Sequence, residues 1–370
     1  MHAKVMHRID ALRSGLTSAG IDTLMVSNAE NRRYLSGFTA EDTQCDESAG
    51  SLFISAEHLV LATDSRFDVQ AKAESQHYDI ICYREGLAKS LPKILQDLET
   101  QRLGFESVRI THKVLTDLSQ ALAKQEMKIE MIPTENLVEQ LREIKDEQEI
   151  QHTQSALHLA EKAFIKLLDI IKPGMTEKEM AWALEKEMHA AGAEGLSFPS
   201  IVASGPNSAL PHAIPGDRVW QVGEPLLFDW GARLHGYCSD ISRTLVFGRR
   251  DQTFQKVYQT VVDAQQKAID AIHDGASSIA VDRMARAHIE KQGYKGKFGH
   301  GLGHGTGLAV HESPRLNPLK DTILKSGMIV TVEPGIYLEN WGGVRIENQV
   351  VVRQDGAEVL NSLNVNIGLG

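Results

Sequence analysis

Two kinds of apolar pattern alternate along the first third of this chain. Met6, Ile9, Leu12 and Leu16 recur at intervals of three and four, which predicts a helix over 5–19. Short unbroken apolar runs at 23–26, 51–54 and 58–62 have the length of strands, and helical stretches near 66–74 and 89–98 follow them. Such alternation predicts an α/β layer domain over 1–133, closed by a last strand at 129–132 before Pro133. Thr134 is placed to cap a long helix. Leu137, Leu141, Ile144, Leu157, Ala160, Phe164 and Leu167 continue its stripe, with a break around Asp146 and an end at Pro173-Gly174. Thr176 with Glu179 has the spacing of a capping box and opens the next helix of a second domain, 134–370.

The second domain repeats itself. Gly223 leads in six steps to Asp229 and then to Gly231, and Gly327 leads in six steps to Glu333 and then to Gly335. Each unit continues to another acid four residues past a glycine, Gly236 to Asp240 and Gly343 to Glu347. Helices expected at about 176–191 and 278–292 precede the units at similar offsets. The pattern predicts two pseudo-symmetric α/β halves, each offering two carboxylates on a β-ribbon.

Charge and composition narrow the partners. Thirty-nine Lys and Arg against 49 Asp and Glu give a net charge of −10, which argues against a nucleic-acid face. No apolar run reaches the roughly 18 residues of a membrane span, and the opening segment has no signal-peptide core, so a cytoplasmic location is expected. Cys45, Cys82 and Cys238 are sparse and far apart, which excludes a disulfide framework or a thiolate zinc site.

Any one of the four acids alone reads as an ordinary surface residue. In register across a repeat, beside an apolar run such as Leu226–Phe228, they read as a buried anionic cluster that needs a cation. Between the halves lies Gly299-His300-Gly-Leu-Gly-His304-Gly-Thr-Gly307-Leu-Ala-Val-His311-Glu312. Five glycines in nine residues exclude a helix there. In an extended chain His300 and His304 share a face, and the glycines leave the other face bare for a close-approaching backbone. Carboxylates with one imidazole suit two divalent ions, with Mn²⁺, Co²⁺ or Fe²⁺ favoured over Zn²⁺. Such ions activate water and polarise a carbonyl, which is metal-assisted hydrolysis.

The set Asp229, Asp240, His304, Glu333 and Glu347, with Val332-Glu333-Pro334-Gly335 and Gly343-Val344-Arg345-Ile346-Glu347, resembles the ligands of the pita-bread metallopeptidases. That family includes methionine aminopeptidase, aminopeptidase P and prolidase. Asn31-Arg-Arg-Tyr-Leu-Ser-Gly-Phe38 resembles the creatinase-type N-terminal domain, which points to the proline-specific branch. The resemblance implies that Asp240 and Glu347 bridge two metal ions, that Asp229 completes one site and that His304 with Glu333 completes the other. Glu333 is further implied as proton shuttle, and His212, His300 and His311 as substrate-side histidines. Arg345 is implied to stand behind the ligands, and Arg315 to meet a substrate carboxylate. Asn348 stands where many relatives have Asp, and Ser242 where Thr is frequent. The expected activity is Xaa-Pro dipeptide hydrolysis by a homodimer acting on short proline-containing peptides. The alternative is an aminopeptidase P acting on longer ones; a metal-free creatinase-like hydrolase or a non-catalytic module fits the intact ligand set poorly. The acidic loop with Glu41, Asp42, Asp46 and Glu47 is either a solvated turn or a lure for the substrate amine.

Overall fold

The computed structural model describes residues 2–42, 44 and 47–365. The first helix runs His2–Ala19, and six strands of the described residues form one mixed sheet. Their order is Asp79–Tyr83, Leu59–Asp64, Ser51–Ser55, Thr23–Val26, Arg102–Glu106, Glu130–Thr134. Helices Asp68–Glu74 and Leu87–Asp97 lie where the apolar pattern places them. Leu91, Ile94 and Leu95 of the second pack with Phe53, Val60 and Leu103 of the sheet.

The domain boundary lies elsewhere than expected. Thr134 caps no helix: it ends the last strand and donates its hydroxyl to the Phe105 carbonyl at 3.0 Å. The chain divides into two compact units after Arg142, not after Pro133. Residues beyond the strand stay with the first unit because Arg142 donates to Asn31 at 2.6 Å and Tyr34 donates to the Leu141 carbonyl at 3.0 Å. The long helix starts instead at Glu147, at the break read near Asp146, and Asp146 with Glu149 forms its capping box. In the acidic loop, Asp42 turns inward and accepts both amino groups of the fully buried Arg32 at 3.0 Å. That acid serves its own domain; Asp46 and Cys45 lie outside the described residues.

The second unit holds the expected pair of halves. Helices Glu147–Ile170 and Glu177–Ala190 pack on strands Leu226–Trp230 and Ile241–Leu245. Helices Gln252–Asp270 and Ser278–Ile289 pack on strands Ile329–Val332 and Asn348–Arg353. Alternation along each strand decides what faces the helices. Leu226, Phe228 and Trp230 enter the first core, where Trp230 stacks on Phe164 with ring centres 4.2 Å apart. Asp229 is one step out of phase and faces the other way. Val330 and Val332 enter the second core, so Glu333 comes where the strand runs out. The halves are stitched directly: Glu347 N–H donates to the Ser242 carbonyl at 3.1 Å, and Thr244 exchanges hydrogen bonds with the Arg345 backbone.

The glycine-rich run is extended only over Gly303–Gly305, and its glycines do permit close approach. A Cβ at Gly303 would lie 2.0 Å from the Thr331 carbonyl oxygen, and one at Gly305 would lie 2.1 Å from that of Ser313. Gly299 has no such neighbour. Gly303→Ala is therefore expected to destabilise the protein by about 1–3 kcal/mol, the usual cost of overpacking, and Gly299→Ala by well under 1 kcal/mol. Denaturant unfolding of both variants checks this, and equal midpoints would contradict it.

Candidate metal centre and active site

Asp240 precedes strand Ile241–Leu245, Glu347 precedes Asn348–Arg353, and His304 is the middle residue of Gly303–Gly305. These chain ends deliver one ligand atom from each of the three, all within 4.8 Å of one another and all buried. His304 Nδ1 bonds the Gly305 carbonyl at 3.0 Å, which fixes its proton there and leaves Nε2 as a bare lone pair. That Nε2 lies 3.5 Å from Asp240 Oδ2 and 3.4 Å from Glu333 Oε1. Acceptors therefore converge on acceptors, as they do around a cation. Asp229 accepts Arg345 Nη2 on Oδ2 at 2.6 Å, while its buried Oδ1 has no hydrogen-bond partner. An orphaned carboxylate oxygen of this kind is costly unless a metal takes it. The all-oxygen-and-imidazole donor set fits hard or borderline divalent ions.

Electrostatics agree with the geometry. Burial raises Asp240 well above the usual carboxylate range, reinforced by the charges of Glu347, Asp229 and Glu333. Burial also raises Glu347 well above its normal value, with Glu333 and Asp229 adding to it. Glu333 is pushed up to about 8, again by burial, although Arg345 opposes the shift. Burial, followed by the neighbouring His311, lowers His304 to about 3, so this imidazole is neutral at physiological pH. Without a cation, the site would have to hold protons.

The same cavity, of about 560 Å³, is lined by every residue that the sequence reading named for chemistry. His311 sets its ring edge-on to His304 at 4.4 Å between centres, and Arg315 is the cross-strand partner of His304. His212 is exposed on the loop whose Pro211 carbonyl accepts Arg345 Nη1 at 3.1 Å. His300 differs from the other two. Its Nδ1 bonds the Gly301 carbonyl at 2.8 Å and its Nε2 bonds the Tyr337 hydroxyl at 2.9 Å, so both nitrogens are engaged. Burial and then Arg345 lower it to about 4, which makes it the acceptor of the Tyr337 proton.

Residues 151–354 match the family described as metallopeptidase family M24, and residues 8–144 match the creatinase/prolidase N-terminal domain. This chain belongs to metallopeptidase family M24. A relative described as an uncharacterized peptidase, YqhT of Bacillus subtilis, is 37% identical, with 94% of this chain and 96% of the relative covered. The fold superposes on a solved Xaa-Pro dipeptidase from Bacillus anthracis with a TM-score of 0.91, at 37% identity and covering 97% of this chain and 98% of that one. It also superposes on an X-Pro aminopeptidase from Thermotoga maritima with a TM-score of 0.85, at 37% identity and covering 93% and 96%. The mixed α/β architecture with a creatinase-like first domain is thus that of the M24 prolidases, and the protein is a peptidase.

Two side chains in this M24 site, Tyr337 and Thr331, were not singled out from sequence. Tyr337 joins Arg345 Nη1, at 2.9 Å, to His300. Thr331 donates to Glu333 at 3.2 Å. Ser242 donates to Glu347 at 2.7 Å, so the hydroxyl common to Ser and Thr suffices at this position. Alternate positions in Gly335-Ile336-Tyr337 were the one available signal, since the tyrosine ring lies over the bare Gly335. Asn348 accepts from the fully buried Arg243 Nη2 at 3.0 Å, backbone carbonyls of Ser242, Glu347 and Leu363 take the other Nη donors, and Nε has no partner among the described residues. The missing acid is therefore replaced by dipoles, and burial lowers Arg243 to about 10.

The raised carboxylates predict proton release on metal uptake. Glu333, pushed up to about 8, retains its proton at pH 7 in the metal-free protein, Asp240 and Glu347 are raised in the same direction by burial and by their neighbours' charges, and binding cations displaces protons from the cluster. Calorimetric titration of the apoprotein with Mn²⁺ in buffers of different ionisation enthalpy should show at least one proton released, and affinity should rise with pH. Equal heats in all buffers, with pH-independent affinity, would contradict the assignment.

Proposed function

We propose that the protein is a dinuclear-metal Xaa-Pro dipeptidase, with Asp229, Asp240, His304, Glu333 and Glu347 as ligands and Mn²⁺ as the ion it uses, Co²⁺, Fe²⁺ or Zn²⁺ being able to substitute. The observation that carries the reading is the convergence of Asp240, His304 and Glu347 ligand atoms within 4.8 Å of one another, beside Glu333 and the unpartnered Oδ1 of Asp229, in a cavity that also holds His212 and His311. When bound, the ions supply Lewis-acid polarisation of the scissile carbonyl and lower the pKa of water. Glu333 lines the cavity beside His304 and is the group placed to take a proton from the attacking water and return it to the leaving group. The bond before proline has a tertiary amide nitrogen, which must be protonated to leave as a secondary amine. Glu333 delivers that proton, and His212 and His311 hold the carbonyl oxygen and the prolyl end. Phe198, Pro199, Ile214 and Pro215 line the cavity and suit an apolar ring, while Arg315 suits the free carboxylate of a dipeptide. His300 orients Tyr337 and Arg345, and it reaches substrate only by releasing the tyrosine.

The second reading is an aminopeptidase P. The equal identity to the Thermotoga protein favours it as much as the Bacillus protein favours the first. A homodimer is part of both proposals, and sedimentation checks it. Chelation should abolish activity, and Mn²⁺ or Co²⁺ should restore it. The restored enzyme should cleave Ala-Pro faster than Ala-Pro-Ala; the reverse order would establish the aminopeptidase, and full activity without metal would remove both readings. Asp240→Ala should lose metal as well as turnover. His311→Ala should keep metal and lose roughly 10²–10³ in kcat, the usual worth of one transition-state donor. Metal loss in His311→Ala would exchange the two roles.

A further inference from the structure

His212 stands on an exposed loop, and what holds that loop is a carboxylate that takes no part in the metal cluster. Glu177 is completely buried in the first turn of helix Glu177–Ala190. The helix does not need it, because Glu179 already closes the capping box with Thr176. Burying a carboxylate is costly unless donors surround it. Here the donors come from both ends of the His212 loop. Oε1 accepts the Ser204 N–H and the Ser204 hydroxyl, each at 2.8 Å, where the loop leaves its strand. Oε2 accepts the Gly216 N–H at 3.1 Å, where the loop returns. Asn207 Nδ2 bridges both oxygens at 3.1 and 3.2 Å. The helix start completes the clamp: Lys178 N–H donates back to the Gly216 carbonyl at 3.1 Å, and Glu177 N–H donates to that of Arg218 at 3.0 Å.

We infer that Glu177 is a positioning residue for His212, its buried carboxylate tying the entry of the 205–216 loop to its exit so that the imidazole is held at the cavity. The inference rests on the proposed peptidase reading for the part His212 plays, but the clamp itself does not. The rival is that the loop's own contacts fix His212 without help. Those contacts include the Pro211 carbonyl on Arg345, the Ser208 hydroxyl, which accepts Gly343 N–H at 2.8 Å, the Gly205 N–H on the Pro225 carbonyl at 2.7 Å, and the Ala213 N–H on the Leu210 carbonyl at 3.1 Å.

Glu177→Gln preserves size but turns an NH₂ group toward the Gly216 donor. In the metal-loaded protein its kcat/KM for Ala-Pro should fall by about 10–100-fold, the scale of a misplacement near 1 Å. Metal content should stay at the wild-type level. Combined with His212→Ala, it should lower kcat/KM by less than about twofold beyond His212→Ala alone, because residues acting through one another are not additive. Amide hydrogen exchange over 204–216 should quicken by at least about tenfold, while the strands at 226–230 and 241–245 keep their protection. Multiplying losses in the double variant, loss of metal, or unchanged exchange would overturn the inference. Asn207→Ala removes only the bridging donor and serves if Glu177→Gln does not fold; it should show the same non-additivity and faster exchange at smaller size, and the absence of both would equally overturn the inference. Exchange needs no turnover, so a wild-type protein that fails to cleave Xaa-Pro peptides would defeat the peptidase reading and still leave the clamp tested.

Discussion

Asp240, Glu333 and Glu347 share one enclosed site with Asp229, and such a site cannot keep four carboxylates ionised without a compensating cation. Two like charges about 4 Å apart repel by about 4 kcal/mol at an effective dielectric near 20. The local architecture manages that repulsion. Among the described residues, Arg345 is the guanidinium that bonds a carboxylate of the set, that of Asp229, and it is itself held by Ser242, Tyr337 and the Pro211 carbonyl. Serine and threonine hydroxyls satisfy Glu347 and Glu333 without adding charge. Neutral imidazoles lie nearby because burial strips His304 and His300 of their protons. The surrounding folds are rigid where the charge is concentrated: strand ends supply the ligands, and glycine-permitted backbone contacts at Gly303 and Gly305 lock the His304 strand between its neighbours.

Much of this was legible in the chain because it is periodic. Gly223–Asp240 and Gly327–Glu347 repeat their spacing, so four acids stand in register in the sequence itself. Strand alternation then explains why Asp229 turns away from Leu226, Phe228 and Trp230. What stayed hidden depends on contacts between distant segments. Tyr337 looks like any strand tyrosine until its hydroxyl meets His300 and Arg345. Glu177 looks like a second first-turn acid until Ser204 and Gly216 close around it. Thr134 carries the right residue type for a cap, but its strand pairing with Glu106 outweighs local propensity, and the long helix begins at Glu147, capped by Asp146. The domain boundary moved with it, since the Asn31–Arg142 bond joins residues too far apart in sequence for any local pattern to record. The resemblance to the pita-bread peptidases supplied the ligand assignment and the place of Arg345 behind it; the bonds that Tyr337 and Thr331 make around those residues came from the fold.

The loops bearing His212 and His311 are each held by an acid outside the five-residue cluster. Glu177 grips the segment bearing His212. On the other side, Glu312 pairs with the buried Lys145 at 3.1 Å and accepts the Ala309 N–H at 2.9 Å beside His311. Charge at the centre is thus left for metal, and charge at the edge is spent on holding the loops.

The central claim, that divalent ions offset a repulsion built into the fold, is tested most directly by thermal unfolding of wild type and Glu347→Gln at about pH 9, with and without Mn²⁺. There the metal-free wild type carries the most unneutralised charge. The account predicts that Glu347→Gln melts higher than wild type without metal, and that Mn²⁺ raises the wild-type midpoint but leaves the variant nearly unchanged. A metal-free variant that melts lower than wild type, or an equal Mn²⁺ shift in both proteins, would contradict it.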